Sequence, residues 1–169
     1  MAKKTIFAIA LTAISFVVNP AISFSSGNVI VNQARNAGLD ANLKTVESLS
    51  VFLTEGTVDF GAHSIWMTDA NDSRMFTSIV EGVYSNRSML NFMVVSPDKG
   101  SIIPDFTYLT IYYDNKSILE IRERDFPTWA YKGTVAQNVV TLEHNDLNIY
   151  LMPAGSGTIV IKREYGSGF

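Results

Sequence analysis

DFTYLTIYYDNKSILEIRER, residues 105–124, decides the fold class of this chain. In residues 106–113 the side chains alternate. Phe106, Tyr108, Thr110 and Tyr112 share one side, and Thr107, Leu109, Ile111 and Tyr113 share the other. A repeat of two is the period of a β-strand. Asp114-Asn115-Lys116-Ser117 then gives a polar turn. Beyond it, Ile118 and Glu120 oppose Leu119, Ile121 and Glu123, which reads as a returning strand. The stretch therefore predicts an antiparallel hairpin. Leu109, Ile111, Leu119 and Ile121 form its expected core face, and the tyrosines form an amphipathic outer one.

Working outward, the same signals recur. Residues 90–95 are β-rich and are closed by Ser96-Pro97-Asp98-Lys99-Gly100, a strong turn sequence. Residues 135–142 and 148–152 read as strands separated by Glu143-His144-Asn145-Asp146. Residues 158–165 follow a turn at 153–157. Val58, Phe60 and residues 65–67 add strand content, and Asp69-Ala70-Asn71-Asp72 reads as a turn. Residues 75–84 place Phe76, Ile79, Val80 and Val83 at spacings that fit a two-turn helix slightly better than a pair of strands. Such short connections favour antiparallel order, because parallel strands need long crossovers.

One helix stands out before the strands. Leu39, Leu43, Val46, Leu49 and Leu53 recur every three or four residues, and Gly56 stops the run. Residues 29–31 read as a short first strand or an extended arm. The predicted fold is α+β: a mostly antiparallel β-sheet or sandwich with one N-terminal amphipathic helix. Residues 24–169 are expected to form a single β-rich domain.

The first 23 residues carry a different message. Lys3 and Lys4 precede an apolar run over residues 6–18, then Asn19-Pro20, then Ala21-Ile22-Ser23. This is the pattern of a secretory signal peptide cleaved after Ser23. The run is shorter than the roughly 20 residues a membrane-spanning helix needs, so no stable membrane insertion is expected after cleavage. The chain has no cysteine. That excludes thiol catalysis, thiolate metal sites and a cysteine-linked lipid anchor. It points to the bacterial periplasm or a secreted bacterial protein rather than to a disulfide-stapled eukaryotic one.

The full chain holds 13 Lys plus Arg and 16 Asp plus Glu. Loss of Lys3 and Lys4 with the leader brings the formal charge from -3 to near -5. No basic patch is available for a phosphate backbone, so nucleic acid is not an expected partner. Another protein is, and a basic one suits the charge.

Residues suited to chemistry are sparse. His63 and His144 are the two histidines. They lack the His-Glu-x-x-His spacing, and a zinc site takes three or four ligands. Residues 69–73 offer oxygens without the offsets of a calcium loop. Ser64 adjoins His63, but neighbours on a strand point to opposite faces. Ser156 lies between Gly155 and Gly157, which more simply make a turn. Asp114, Glu120, Glu123, Asp125 and Glu143 are available for paired acid and base work on a sugar, but carboxylates on a wet sheet face need no function. The glycine pattern of a phosphate cradle is missing. Asn71, Asn86 and Asn115 each begin an Asn-x-Ser triplet of the kind glycosylated in eukaryotic secretion. The reading assigns no catalytic residue, metal or cofactor, and leans away from an enzyme.

The aromatics remain. Tyr108, Tyr112, Trp129 and Tyr131 lie close in sequence and are the candidate binding surface, with a second core layer as the other account of them. The expected function is a secreted or periplasmic protein-interaction domain: an inhibitor, a protector or an envelope-assembly subunit. A carbohydrate-binding or matrix module and a small hydrolase are the alternatives. The three differ in what they need: a broad face or open sheet edge, two rings along a groove, or a pocket in which a histidine meets a carboxylate.

Overall fold

A computed structural model describes residues 28–66, 75–96, 105–145 and 147–167. The chain runs through helices α1 (Asn28–Asn36) and α2 (Leu43–Thr54), then strands β1 (Asp59–Trp66), β2 (Phe76–Val83), β3 (Ser88–Val95) and β4 (Asp105–Asp114). Helix α3 (Ile118–Arg124) follows, then β5 (Ala130–Val135), β6 (Val139–His144), β7 (Leu147–Ala154) and β8 (Gly157–Ser167). All eight strands form one antiparallel sheet in the order β1-β2-β3-β4-β8-β7-β6-β5. The chain thus lays down helix and four-strand meander twice. The last strands of the two halves, β4 and β8, pair at the centre of the sheet.

All three helices cover the same face. Ile30 and Ala34 of α1 and Val46, Leu49 and Leu53 of α2 pack on Phe76, Val80, Met93, Val95, Phe106 and Tyr108. Ile121 of α3 packs on Tyr112, Leu142, Ile149, Leu151 and Val160. The sheet therefore carries two separate hydrophobic cores side by side. Asn91 Nδ2 donates to the Leu53 carbonyl at 3.2 Å, tying α2 to β3. Ser64 Oγ, on β1, lies 3.0 Å from Ser78 Oγ and donates to Gln33 Oε1 on α1.

The antiparallel β-rich expectation holds, as do the helix ending before Gly56 and the strands at 90–95 and 158–165. Several finer expectations fail. The chain has three helices among the described residues where one was expected. Residues 29–31 are helical, because Ile30, Val31, Ala34 and Ala37 make a buried stripe at helical spacing. Gly38, at φ 75°, turns the chain out of α1. Residues 76–83 form a strand. Their misleading spacing arises because both faces are apolar: Phe76 and Val80 point to the core, Ile79 and Val83 away from it. Residues 135–142 contain a turn at 136–138 between β5 and β6. The expected turn at 69–72 and the Pro97–Gly100 part of the next lie outside the described residues.

The largest correction concerns the opening stretch. Residues 118–124 are a helix, not the second arm of a hairpin. Ser117-x-x-Glu120 is a capping box: the Ser117 side chain accepts from the Glu120 amide, and the Glu120 carboxylate accepts from the Ser117 amide at 2.8 Å. Arg122 and Arg124 then sit in the last turn, where the helix dipole favours them. The core face of β4 is also reversed. Phe106, Tyr108 and Tyr112 are buried, while Leu109 and Ile111 are half-exposed on the other face and Leu119 is exposed. Ile121 is fully buried, but from a helix.

Accepting from Ser117 holds the Glu120 carboxyl below the usual glutamate range. A carboxyl lowered on folding stabilises the fold above its ordinary range and loses that contribution as the pH falls through it. Replacing Ser117 with Ala is expected to cost about 1 kcal/mol in urea unfolding at neutral pH. The loss should shrink in acid, where Glu120 is protonated in both proteins.

Candidate functional site

Two surfaces stand out, one on each face of the sheet. The first is the face opposite the helices. The strands place Ile79 on β2, Leu90, Phe92 and Val94 on β3, and Leu109 and Ile111 on β4 there. Ile159 and Ile161 on β8 and Tyr150 and Met152 on β7 continue it. These residues are half-buried, with Leu90 more exposed at 42%. Among the described residues no helix packs on this face. Strands with one solvated face normally alternate apolar and polar. Here β3, β4 and β8 carry apolar residues on this side too; its described polar residues on β2, β3, β4, β8 and β7 are Thr77, Glu81, Ser88, Asp105, Thr107, Arg163 and Asn148, and Asp59, His63, Thr141 and Glu143 lie on the outer strands β1 and β6.

The second surface is a cleft on the helix-covered face, between the two cores. The row Val80, Asn91, Thr110, Lys162, Ile149 crosses five strands in register. Its three central members are polar, with Tyr108 of one core on one side and Tyr112 of the other core on the opposite side. Over Thr110 and Lys162 opens a cavity of about 300 Å³, lined also by Arg87, Met89, Tyr112, Asp114, Lys116, Asp125 and Phe126. The Arg87 guanidinium lies 5.1 Å from the centre of the Tyr112 ring. Lys162 Nζ lies 5.8 Å from the same ring and 5.5 Å from that of Phe126. Lys116 is bound instead by carboxylates, at 2.8 Å from Asp125 and 3.5 Å from Asp114.

Burial pulls the Lys162 ammonium below the usual lysine range; Glu164 counters this, Arg87 reinforces it and Asp125 counters it. Burial pushes the Tyr112 hydroxyl up. Tyr108 donates to Glu164, its cross-strand partner, and burial together with that bond raises the phenol well above its ordinary range. Hydrogen bonding to Asp125 raises Lys116.

The four aromatics singled out in the sequence do not form one patch. Tyr108 and Tyr112 are buried in different cores, at 5% and 9% exposure. Trp129 is half-buried, edge-on to Phe126 at 5.4 Å and beside His144 at 5.6 Å. Tyr131 is exposed on the edge strand β5, with Arg122 5.6 Å over its ring. Of the four, Tyr112 lines the cleft. His63 and His144 are exposed on β1 and β6, and neither lines the cavity. Glu120 is spent on the helix cap and Glu143 on a 2.8 Å ion pair with Lys132. Ser156 sits in the β7–β8 turn, 3.4 Å from the Tyr113 hydroxyl.

Arg87 and Lys162 were not foreseen as site residues. A signal was present for Lys162. Val160, Lys162 and Glu164 alternate with Ile159, Ile161 and Arg163, so one strand puts a charge on each face, and one of those faces had to be covered. No protein-family model, curated protein or solved structure matches this chain.

Proposed function

We propose that this chain is a protein-interaction domain of the bacterial periplasm or exterior, and that the helix-free face of the sheet is where its partner docks. The observation that carries the reading is the apolar content of that face across β2, β3, β4, β8 and β7. These five strands about 4.8 Å apart, with six residues at about 3.4 Å each, make an apolar face of roughly 500 Å². That is more than half of the ~800 Å² each partner contributes to a standard complex. Apolar surface of this extent on a solvated sheet is costly unless something covers it.

The occupant fitted to it is another protein with an apolar patch and a basic rim. Asp59, Glu81 and Asp105 lie on this face against Arg163, Glu143 is already paired with Lys132, and the chain as a whole is acidic. A net charge near -5 also disfavours an anionic lipid surface. The leader that supports the periplasmic or secreted placement lies outside the described residues, among which no helix is long and apolar enough to cross a membrane.

Ile111→Lys tests the reading. Proteins retained from an envelope extract are identified and their binding to the purified chain is measured. The partner's affinity is expected to fall at least roughly tenfold with Ile111→Lys, since a desolvated cation replaces an apolar anchor. Lys44→Glu on the helix-covered side should leave it unchanged. Equal binding of Ile111→Lys and the parent contradicts the reading. So does a dimer of this chain, seen by light scattering, that the same substitution dissolves.

A further inference from the structure

We propose that the cleft between the two cores is a binding site for a small organic carboxylate, held by Arg87, Lys162 and Thr110. It lies on the opposite face of the sheet from the docking surface and does not depend on it.

Position 162 carries the argument. It belongs to the inward row of β8, between Thr110 of β4 and Ile149 of β7, and next along that row comes the fully buried Val160. A sheet face covered by helices asks for an apolar residue there. Taking an ammonium group out of water is unfavourable unless it is paired. Among the described residues Lys162 has no carboxylate within ion-pair distance, and neither has Arg87. Both cations instead lean on the Tyr112 ring. A local choice that opposes the fold, made where two halves of the molecule meet around a cavity, marks a functional position.

The lining selects the ligand. It holds three cations and two carboxylates, Asp114 and Asp125, so its formal charge is a single positive one. That balances a monoanion and disfavours a phosphate dianion or a nucleotide. Lys116 is already occupied by both aspartates. Arg87 supplies a planar fork suited to a carboxylate, Lys162 a second positive donor and Thr110 a hydroxyl. Met89, Tyr112 and Phe126 provide apolar walls for the rest of the molecule. About 300 Å³ accommodates a metabolite-sized body and not a polymer.

The test titrates the full chain with benzoate, hexanoate, inorganic phosphate and neutral benzamide, followed by NMR and thermal unfolding. Saturable binding of benzoate or hexanoate is expected, with phosphate weaker and benzamide without effect. Arg87→Gln and Lys162→Met should each weaken the carboxylate at least roughly tenfold, the loss seen when a charged partner is removed. Lys162→Met fills the same volume without charge, so the unliganded variant should unfold at a higher temperature than the parent. No saturable response to either carboxylate overturns the proposal. So does binding that both variants retain, and so does a Lys162→Met protein that unfolds at a lower temperature, which would make the ammonium a structural group.

Discussion

Phe76→Ala is expected to lower unfolding stability by about 3–5 kcal/mol, while Leu109→Ala lowers it by only about 1 kcal/mol. Both remove a large apolar side chain from the same sheet. Phe76 is fully buried beneath the first pair of helices, in contact with Val80, Val95 and Phe106 in that core. Cutting it to a methyl group leaves a void that close-packed neighbours fill only in part, so the lost contacts add to the lost transfer energy. Leu109 lies on the helix-free face, already half in water. Its truncation leaves no cavity. Urea unfolding of the two variants beside the parent measures the difference directly. A Leu109→Ala loss equal to that of Phe76→Ala would mean that the helix-free face is packed after all.

Gly157→Ala has the second large effect. Gly157 opens β8 directly after the β7–β8 turn, and its backbone presses against β4. A methyl group there would collide with the Asp114 carbonyl and with the Tyr113 phenol. The phenol is half-exposed and can swing away, but the carbonyl belongs to the central β4–β8 ladder and cannot. Overpacking against backbone should therefore cost about 3 kcal/mol. Adding Tyr113→Ala should restore little of it, because the carbonyl collision remains. Asp114 also borders the cleft, so the displacement should weaken carboxylate binding as well. Full recovery of stability in the double variant would show that the ring, not the backbone, sets the limit.

The parts of this fold legible in the sequence are those where one signal acts alone. The α2 stripe from Leu43 to Leu53 and the strand at 90–95 needed no tertiary information. Failures came where two signals competed. In residues 118–124 an apolar alternation of two coexists with Ser117-x-x-Glu120, and the cap decided the outcome. In β2 apolar residues on both faces imitate a helical period. In β4 both faces are apolar, so alternation fixed the strand without saying which side the helices would choose. That side depends on where α1, α2 and α3 lie, which is long-range information. Tyr108 and Tyr112 went inward because Glu164, Arg87 and Lys162 meet their polar ends or ring faces there. The cleft was illegible for the same reason. Arg87 and Lys162 are 75 positions apart, and only the pairing of β3 with β4 and of β4 with β8 brings them to one ring.

The absence of native cysteine makes the two faces of β8 separately addressable. Single-cysteine variants at Ile161 and Val160, adjacent residues with opposite orientations, can be labelled with a maleimide in the folded chain. Ile161→Cys, half-buried, should react within roughly tenfold of the unfolded chain, and added partner should slow it further. Val160→Cys should react roughly a hundredfold or more slowly, because its thiol is reached only through opening of the structure. Equal protection of both thiols in the isolated chain would contradict an open docking face.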